Sequence, residues 1–218
     1  MNAIYGIYGA GGYGREVYPL VREQLKNANI DSKIYFVADE SEENYINGVD
    51  VLSFNDFELI IADEKKVTIA IADCHVREKL TEKCKEHGFK LFDVFANNVV
   101  EMDFVDIKEG CILSPFTCLT SNISIGKSFH ANIYSYVAHD CKIGDYVTFA
   151  PGAKCNGNVI IEDYAYIGTG AIIKPGSKNK PLVIGQGAVI GMGAVVTKSV
   201  LPGVTVFGNP AKPIGKSK

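Results

Sequence analysis

From Ile107 onward the chain counts in sixes. Every sixth residue through Ile107, Leu113, Leu119, Ile125, Ala131, Val137, Ile143, Phe149, Cys155, Ile161, Ile167 and Ile173 is apolar. Four places further along each hexad stand Cys111, Thr117, Ile123, Phe129, Ser135, Cys141, Val147, Ala153, Val159, Ala165, Ala171 and Ser177, mostly small or apolar. The phase slips by five residues through KNKPL and resumes at Ile184, Ile190 and Val196, partnered by Ala188, Ala194 and Val200. A strict short repeat of this length is the mark of a parallel β-helix. Each hexad supplies one flat side, and three sides close a coil of about 18 residues. The aliphatic residue points inward onto its counterpart one coil away, and the small residue sits near the corner. Each coil covers its neighbour's open edge, so stability accumulates along the stack. The slip is expected to be a loop that leaves the helix and returns.

The first half has a different texture. AIYGIYG (3–9), KIYFVAD (33–39), VTIAIAD (67–73) and FKLFDVF (89–95) read as buried strands. Residues 14–28 and 76–87 read as helices, the first with Val17, Leu20, Val21 and Leu25 on one face. Strands alternating with helices imply a parallel sheet with crossover helices. The expected organisation is therefore an α/β, Rossmann-like domain over 1–100 and a β-helix over 101–218.

Bulk properties exclude several classes. A formal net charge of −3 offers nothing to a polyanion, so no nucleic-acid partner is expected. No apolar run is long enough to span a membrane, and the N-terminus lacks the basic region of a signal peptide. A cytoplasmic location is expected. The six cysteines form no C-x-x-C pair, which argues against zinc or redox motifs and leaves them as small buried hydrophobes.

Gly9-Ala10-Gly11-Gly12-Tyr13-Gly14 fits G-x-G-x-x-G between a predicted strand and a predicted helix, the context such a motif requires. Its glycines let the backbone approach a phosphate, and the helix N-terminus favours negative charge. Asp39, closing the second strand, is placed to accept hydrogen bonds from a ribose or sugar hydroxyl. About 95 residues are too few for both mononucleotide halves of a dinucleotide fold, so a nucleotide or nucleotide sugar is preferred over NAD. The same glycines also fit a purely structural tight turn.

Four histidines are present: His75, His87, His130 and His139. His139 falls at the third place of the hexad Val137–Lys142, pointing outward near a corner, and Asp140 follows it. A neutral imidazole can take a proton from an attacking amine or hydroxyl while a carboxylate fixes its tautomer. His130, nine residues earlier, is a candidate supporting group; a surface histidine is the plain alternative for the pair. At the C-terminus Lys212, Lys216 and Lys218 form a basic tail, either solvated or in contact with a coenzyme phosphate.

The GAGGYGRE opening, the IADCHVREK segment, the AHDCKIGDYVTFAPGAKCNGNVIIED stretch, the GAVVTKSV coil and the GNPAK tail together resemble the bacterial nucleotide-sugar N-acetyltransferases of the sialic acid O-acetyltransferase-like hexapeptide-repeat group. The resemblance runs over nearly the whole chain. It implies a left-handed β-helix, a homotrimer with active sites between subunits, acetyl-CoA as co-substrate, and transfer to the 4-amino group of a UDP-linked deoxy amino sugar for bacterial surface glycans. By position it implies His139 as the catalytic base and Asp140 as its orienting acid. It places Gly11, Gly12 and Tyr13 around the nucleotide diphosphate, Asp39 and Glu40 near the uridine, and Ala72 and Asp73 at a strand end near the nucleotide. Gly157, Thr169 and Met192 fall along the pantetheine arm. Thr148 stands where related chains often carry a second histidine on the acetyl group, a departure that leaves a threonine hydroxyl in its place.

The reading is direct transfer in a ternary complex, with a backbone N–H of the coil receiving the oxyanion and no metal or covalent cysteine intermediate. O-acetylation of sialic acid or a related sugar is one alternative, and a non-catalytic sugar-nucleotide scaffold another. A zinc hydratase on the same helix is the weakest, because the helical half holds only two histidines.

Overall fold

The computed structural model describes residues 3–39 and 43–214. The chain forms two compact units, Met1–Asn97 with Glu109–Ile112, and Asn98–Lys108 with Leu113–Lys218.

The first unit is a six-stranded sheet built from β1 (Ala3–Tyr8), β2 (Ile34–Val37), β3 (Tyr45–Ile46), β4 (Val49–Leu52), β5 (Glu64–Ile69) and β6 (Lys90–Leu91). Its order is β3-β4-β2-β1-β5-β6, parallel except for the β3–β4 hairpin. β1 is apolar throughout because it is buried on both faces. Tyr5 and Ile7 join Val17, Val21 and Phe36 in one core, and Ile4 and Tyr8 join Val37, Phe54, Phe57 and Val67 in the other. The first core is closed by α1 (Gly12–Asn27), which buries Val17, Val21 and Leu25 at a spacing of four. The second holds Phe54 and Phe57 of α2 (Phe54–Leu59) and Cys84 of α3 (Cys74–Glu86). From β1 the chain steps to one side, to β2 and β4, and then crosses to β5 on the other. Ligands of open α/β sheets bind where the strand order reverses in this way, at the carboxyl ends of the strands.

Within the sheet the structure differs from the sequence reading in two places, and α2 is a helix that the reading did not contain. The expected strand 89–95 is two short pieces, β6 and Val94–Phe95, interrupted at Phe92 and Asp93. Gln24 of α1 explains the break. Its Nε2 donates to the Asp93 carbonyl at 2.9 Å, and its Oε1 accepts from the Phe95 N–H at 3.0 Å, so a side chain replaces a strand partner. Burial pushes the Asp93 carboxyl up, although it accepts from the Cys111 N–H at 2.8 Å. The second difference is the β3–β4 hairpin, turned by Asn47 and Gly48, both at positive φ. Asn-Gly is the residue pair such a turn requires.

The second unit is a left-handed parallel β-helix. Its three sides can be followed through Tyr136–Val137, Lys142–Ile143 and Thr148–Phe149, here called the first, second and third sides. Strands on one side pair in register 18 residues apart, as in Cys118↔Tyr136↔Lys154↔Ile172. Across KNKPL the step becomes 23, as in Ile172↔Val195 and Tyr166↔Val189, so the five extra residues leave the coil without disturbing its stack. The inward column from Leu113 to Val196 is fully buried, and Ile107, in the first turn of the stack, is half-buried. Each fully buried aliphatic side chain contributes roughly 1.5–3 kcal/mol.

Corners need left-handed backbone, and Asn122, Asp140 and Asn158 supply it in one column at φ 59, 57 and 56°. Asn and Asp tolerate this region because a short polar side chain can bond locally. Two other columns place Phe116, Tyr134, Tyr146 and Tyr164 at positive φ, an unusual choice for bulky residues. Their rings stack in pairs, Phe116 on Tyr134 at 4.8 Å and Tyr146 on Tyr164 at 5.8 Å.

Candidate active site

In the first unit the loop after β1 carries the glycine motif. Gly9 sits at φ 113°, and a Cβ there would approach the Ala70 carbonyl; a Cβ on Gly14 would run into the carbonyl oxygen of Gly9. These two glycines serve the turn and the packing of helix on strand. Gly11 and Gly12 are different, because a Cβ on either would meet nothing within 4 Å. The protein does not need glycine there for its own packing, so the open space suits a ligand. Gly11 caps α1 with no side-chain hydrogen bond to the first turn, and the N-terminal end of a helix favours an anion. Tyr13 turns its ring onto the α1 core instead.

The loop opens on a crevice of about 720 Å³ lined by Tyr8, Gly11, Arg15, Asp39, Ile71 and Leu80 among others. Asp39 is heavily engaged. One oxygen accepts from the Phe54 N–H at 2.9 Å, and the other from the Tyr8 hydroxyl at 2.5 Å and Lys83 at 3.3 Å. Burial opposes ionisation, yet these three donors together hold its carboxyl below the usual range. Burial and the Asp39 charge push the Tyr8 hydroxyl well up. Across the crevice, Asp73 caps α3, accepting from the His75 and Val76 N–H groups at 3.0 and 2.9 Å. The exposed Ala72 gives its carbonyl to fully buried Arg77 at 3.1 Å. Glu40 lies outside the described residues. Arg15, exposed in the first turn of α1, was not singled out by the sequence reading. A guanidinium following the last glycine of such a loop was its available signal.

In the second unit His139 and Asp140 occupy the corner between the first and second sides. His139 Nδ1 lies 2.7 Å from Asp140 Oδ2, with side chains 59% and 50% exposed. The left-handed φ at Asp140 turns that carboxylate back onto the preceding ring. Gly157, one coil above, gives the ring its seat: a Cβ there would lie 2.5 Å from Cε1 and Nε2 of His139. With Nδ1–H donated to Asp140, Nε2 keeps its lone pair, which is the form a general base requires.

The other expected coil residues stand elsewhere. Thr148 lies on the third side, buried, paired in register with His130. Thr169 and Met192 are exposed at the corner between the third and first sides, where the Thr169 carbonyl accepts from Gly193. One protomer therefore brings together His139, Asp140 and Gly157 but not Thr148, Thr169 or Met192. His130 does not stand behind His139, because nine residues is half a coil and leads to another side. Lys212 pairs antiparallel with Phe207 and so belongs to a folded end, whereas Lys216 and Lys218 lie outside the described residues. That end closes a cavity of about 540 Å³ lined by Lys198, Leu201, Val204, Ala211, Pro213 and Ile214 among others.

Among the described residues no helix is long and apolar enough to cross a membrane, and no three His, Cys, Asp or Glu side chains gather to hold a metal ion. Cys111, Cys118, Cys141 and Cys155 take part in no disulfide among the described residues.

Residues 6–84 match the family model described as the PglD N-terminal domain. The chain is 52% identical to GDP-perosamine N-acetyltransferase of Escherichia coli O157:H7, over 98% of this chain and 97% of that relative. Among solved structures it is similar to WeeI from Acinetobacter baumannii AYE, with 60% identity, a TM-score of 0.95 and coverage of 98% and 100%. It is also similar to PerB from Caulobacter crescentus in complex with CoA and GDP-perosamine, with 25% identity, a TM-score of 0.83 and 97% of each chain covered.

Proposed function

Since this chain belongs to the nucleotide-sugar N-acetyltransferases, we propose that it moves the acetyl group of acetyl-CoA onto the 4-amino group of a deoxy amino sugar carried on a nucleoside diphosphate, for a surface glycan. The observation that carries the reading is the corner where His139, oriented by Asp140 at 2.7 Å, lies open to solvent over a glycine. The neutral amine attacks the thioester carbonyl carbon as Nε2 of His139 takes its proton. The tetrahedral oxyanion is received by an outward N–H of the coil. Collapse breaks the C–S bond, and the departing thiolate regains the proton from the imidazolium. Simultaneous binding of CoA and GDP-perosamine by PerB favours this direct course over an acetylated enzyme.

The acceptor nucleotide is assigned to the crevice of the first unit, with its diphosphate against Gly11, Gly12 and the α1 N-terminus beside Arg15, and its nucleoside toward Asp39 and the 72–73 loop. The full-length relative's name favours guanosine as the nucleoside; the resemblance carried by the sequence motifs favours uridine. Thr148, Thr169 and Met192 are assigned to the coenzyme arm with Gly157. Because Thr169 and Met192 stand at a different corner from His139, a site containing all of them takes residues from two copies, which supports a homotrimer.

The test is a thiol-release assay with acetyl-CoA and a panel of GDP- and UDP-linked 4-amino sugars, with their 4-hydroxy counterparts as controls. One thiol per amide formed is expected. Ester formation on the hydroxy sugars, or no thiol release with any amine, contradicts the proposal.

A further inference from the structure

Cys141 lies two residues beyond His139 but faces the other way, into the coil, where it is 1% exposed. Its sulfur stands 3.2 Å from the main-chain carbonyl oxygen of Asn156, with the Cys155 sulfur 3.6 Å from that same oxygen and the two sulfurs 4.0 Å apart. At that separation they are two thiols, since a disulfide is about 2.05 Å long. The Cys141 thiol has two main-chain carbonyls within reach, that of His139 at 3.6 Å and that of Asn156 at 3.2 Å, and the closer one is the better acceptor for its proton.

The carbonyl belongs to the peptide joining Asn156 to Gly157. In a planar trans peptide the C=O and N–H point in opposite directions. With its oxygen drawn inward to Cys141, this peptide turns the Gly157 N–H outward, at the residue on which the His139 ring rests. No acceptor among the described residues takes that N–H. The flank is fixed from outside as well, because the Tyr136 hydroxyl donates to Asn156 Oδ1 at 3.0 Å and Asn156 Nδ2 donates to the Ile173 carbonyl at 2.7 Å. One face of the peptide is tied to the coil interior and the adjoining side chain to the coil above, leaving a single directed donor beside the imidazole.

We propose that Cys141 is a positioning residue for acetyl transfer: its thiol, bonded to the Asn156 carbonyl, aims the Gly157 N–H at the oxyanion of the tetrahedral intermediate formed beside His139. The inference rests on the acetyl-transfer reading above and adds to it an inner support that touches neither substrate. The thiol bond is weak, but the donor it aims is not, because removing one oxyanion-hole donor outright costs about 10²–10³ in kcat.

The test compares Cys141→Val, which fills similar volume without a donor, with Cys141→Ser, which keeps a hydroxyl donor, and with Cys141→Ala as a further donor-less variant. Each is assayed for kcat and both KM values, and its thermal midpoint is recorded. Positioning predicts that Cys141→Val and Cys141→Ala lose roughly tenfold in kcat, a fraction of the full effect, with both KM values unchanged, and that Cys141→Ser stays near wild type. The thermal midpoint reads packing at this buried position and kcat reads the donor, since valine supplies apolar volume without a donor and serine a donor in a smaller side chain. Activity that follows the thermal midpoints, with valine at wild-type kcat and serine impaired, overturns the inference while leaving acetyl transfer intact. Absence of transfer by the wild-type protein overturns the parent reading, and this inference with it.

Discussion

The two units arrange their ligand-facing groups in opposite ways. In the α/β unit the acidic side chains are already occupied: Asp39 accepts from Phe54, Tyr8 and Lys83, and Asp73 caps α3. What that unit leaves open is backbone, at Gly11 and Gly12 where a Cβ would touch nothing. In the β-helix the backbone is nearly saturated by coil-to-coil bonds, and the open groups are side chains, His139 and Asp140 at an exposed corner. A unit that holds an anionic ligand works through N–H groups, which do not ionise at neutral pH. A unit that performs proton transfer needs a titrating side chain. Substitutions should therefore separate, with effects on acceptor binding in the first unit and effects on proton transfer in the second.

The largest effect is expected where glycine is required by packing alone. Gly14→Ala drives a methyl into the Gly9 carbonyl, a backbone clash costing about 3 kcal/mol or more. Denaturant melts should show the first unit unfolding early; an unchanged midpoint would mean that the loop relaxes freely. Gly157→Ala comes next. It pushes the His139 ring from its seat, and a misplacement of about 1 Å can cost roughly 10²-fold. Steady-state kinetics should register this in kcat, with nucleotide-sugar KM unmoved. Gly12→Val, set in open space, should leave the fold intact and weaken nucleotide-sugar binding by about tenfold, the equivalent of about 1.4 kcal/mol. Calorimetry that found acceptor affinity unchanged would remove that loop from the site.

The smallest effect concerns acid. The Asp39 carboxyl is held low in the folded protein, so its contribution to stability is present above its unfolded value, about 3.9, and is lost as pH falls through the folded value. Asp39→Asn should therefore lower Tm at neutral pH, and the gap to wild type should close below about pH 4. A constant gap down to pH 3 would show that the Tyr8 and Lys83 bonds do not depend on the charge.

Much of this was legible in the chain, for reasons that differ between the units. A period of six fixes the side, the inward column and the five-residue excursion, and the register step from 18 to 23 falls where KNKPL interrupts the count. His139 beside Asp140 was readable because the pair is adjacent in sequence. The seat at Gly157 was within reach too, since 139 and 157 differ by one coil. His130 stands on another side from His139, because nine residues is half a coil and closeness in number is not closeness in space. The aromatic corners were not legible, because positive φ predicts Gly, Asn or Asp, and ring stacking between coils overrides that preference at Tyr134 and Tyr146. Nor was the Gln24 bridge at Asp93 and Phe95, which joins residues about 70 apart through one side chain. The directed Gly157 N–H depends on a peptide orientation that no residue pattern records.

The account stands most directly on His139→Ala, assayed for kcat, both KM values and nucleotide-sugar affinity in one preparation. The side chain is exposed, so the fold should be retained and both substrates should bind as in wild type. Loss of a general base is worth about 10²–10⁴-fold, and kcat should fall within that range. A variant that turns over at the wild-type rate, or one that loses acceptor binding together with rate, would contradict the division of labour between the two units and the assignment of the base to this corner.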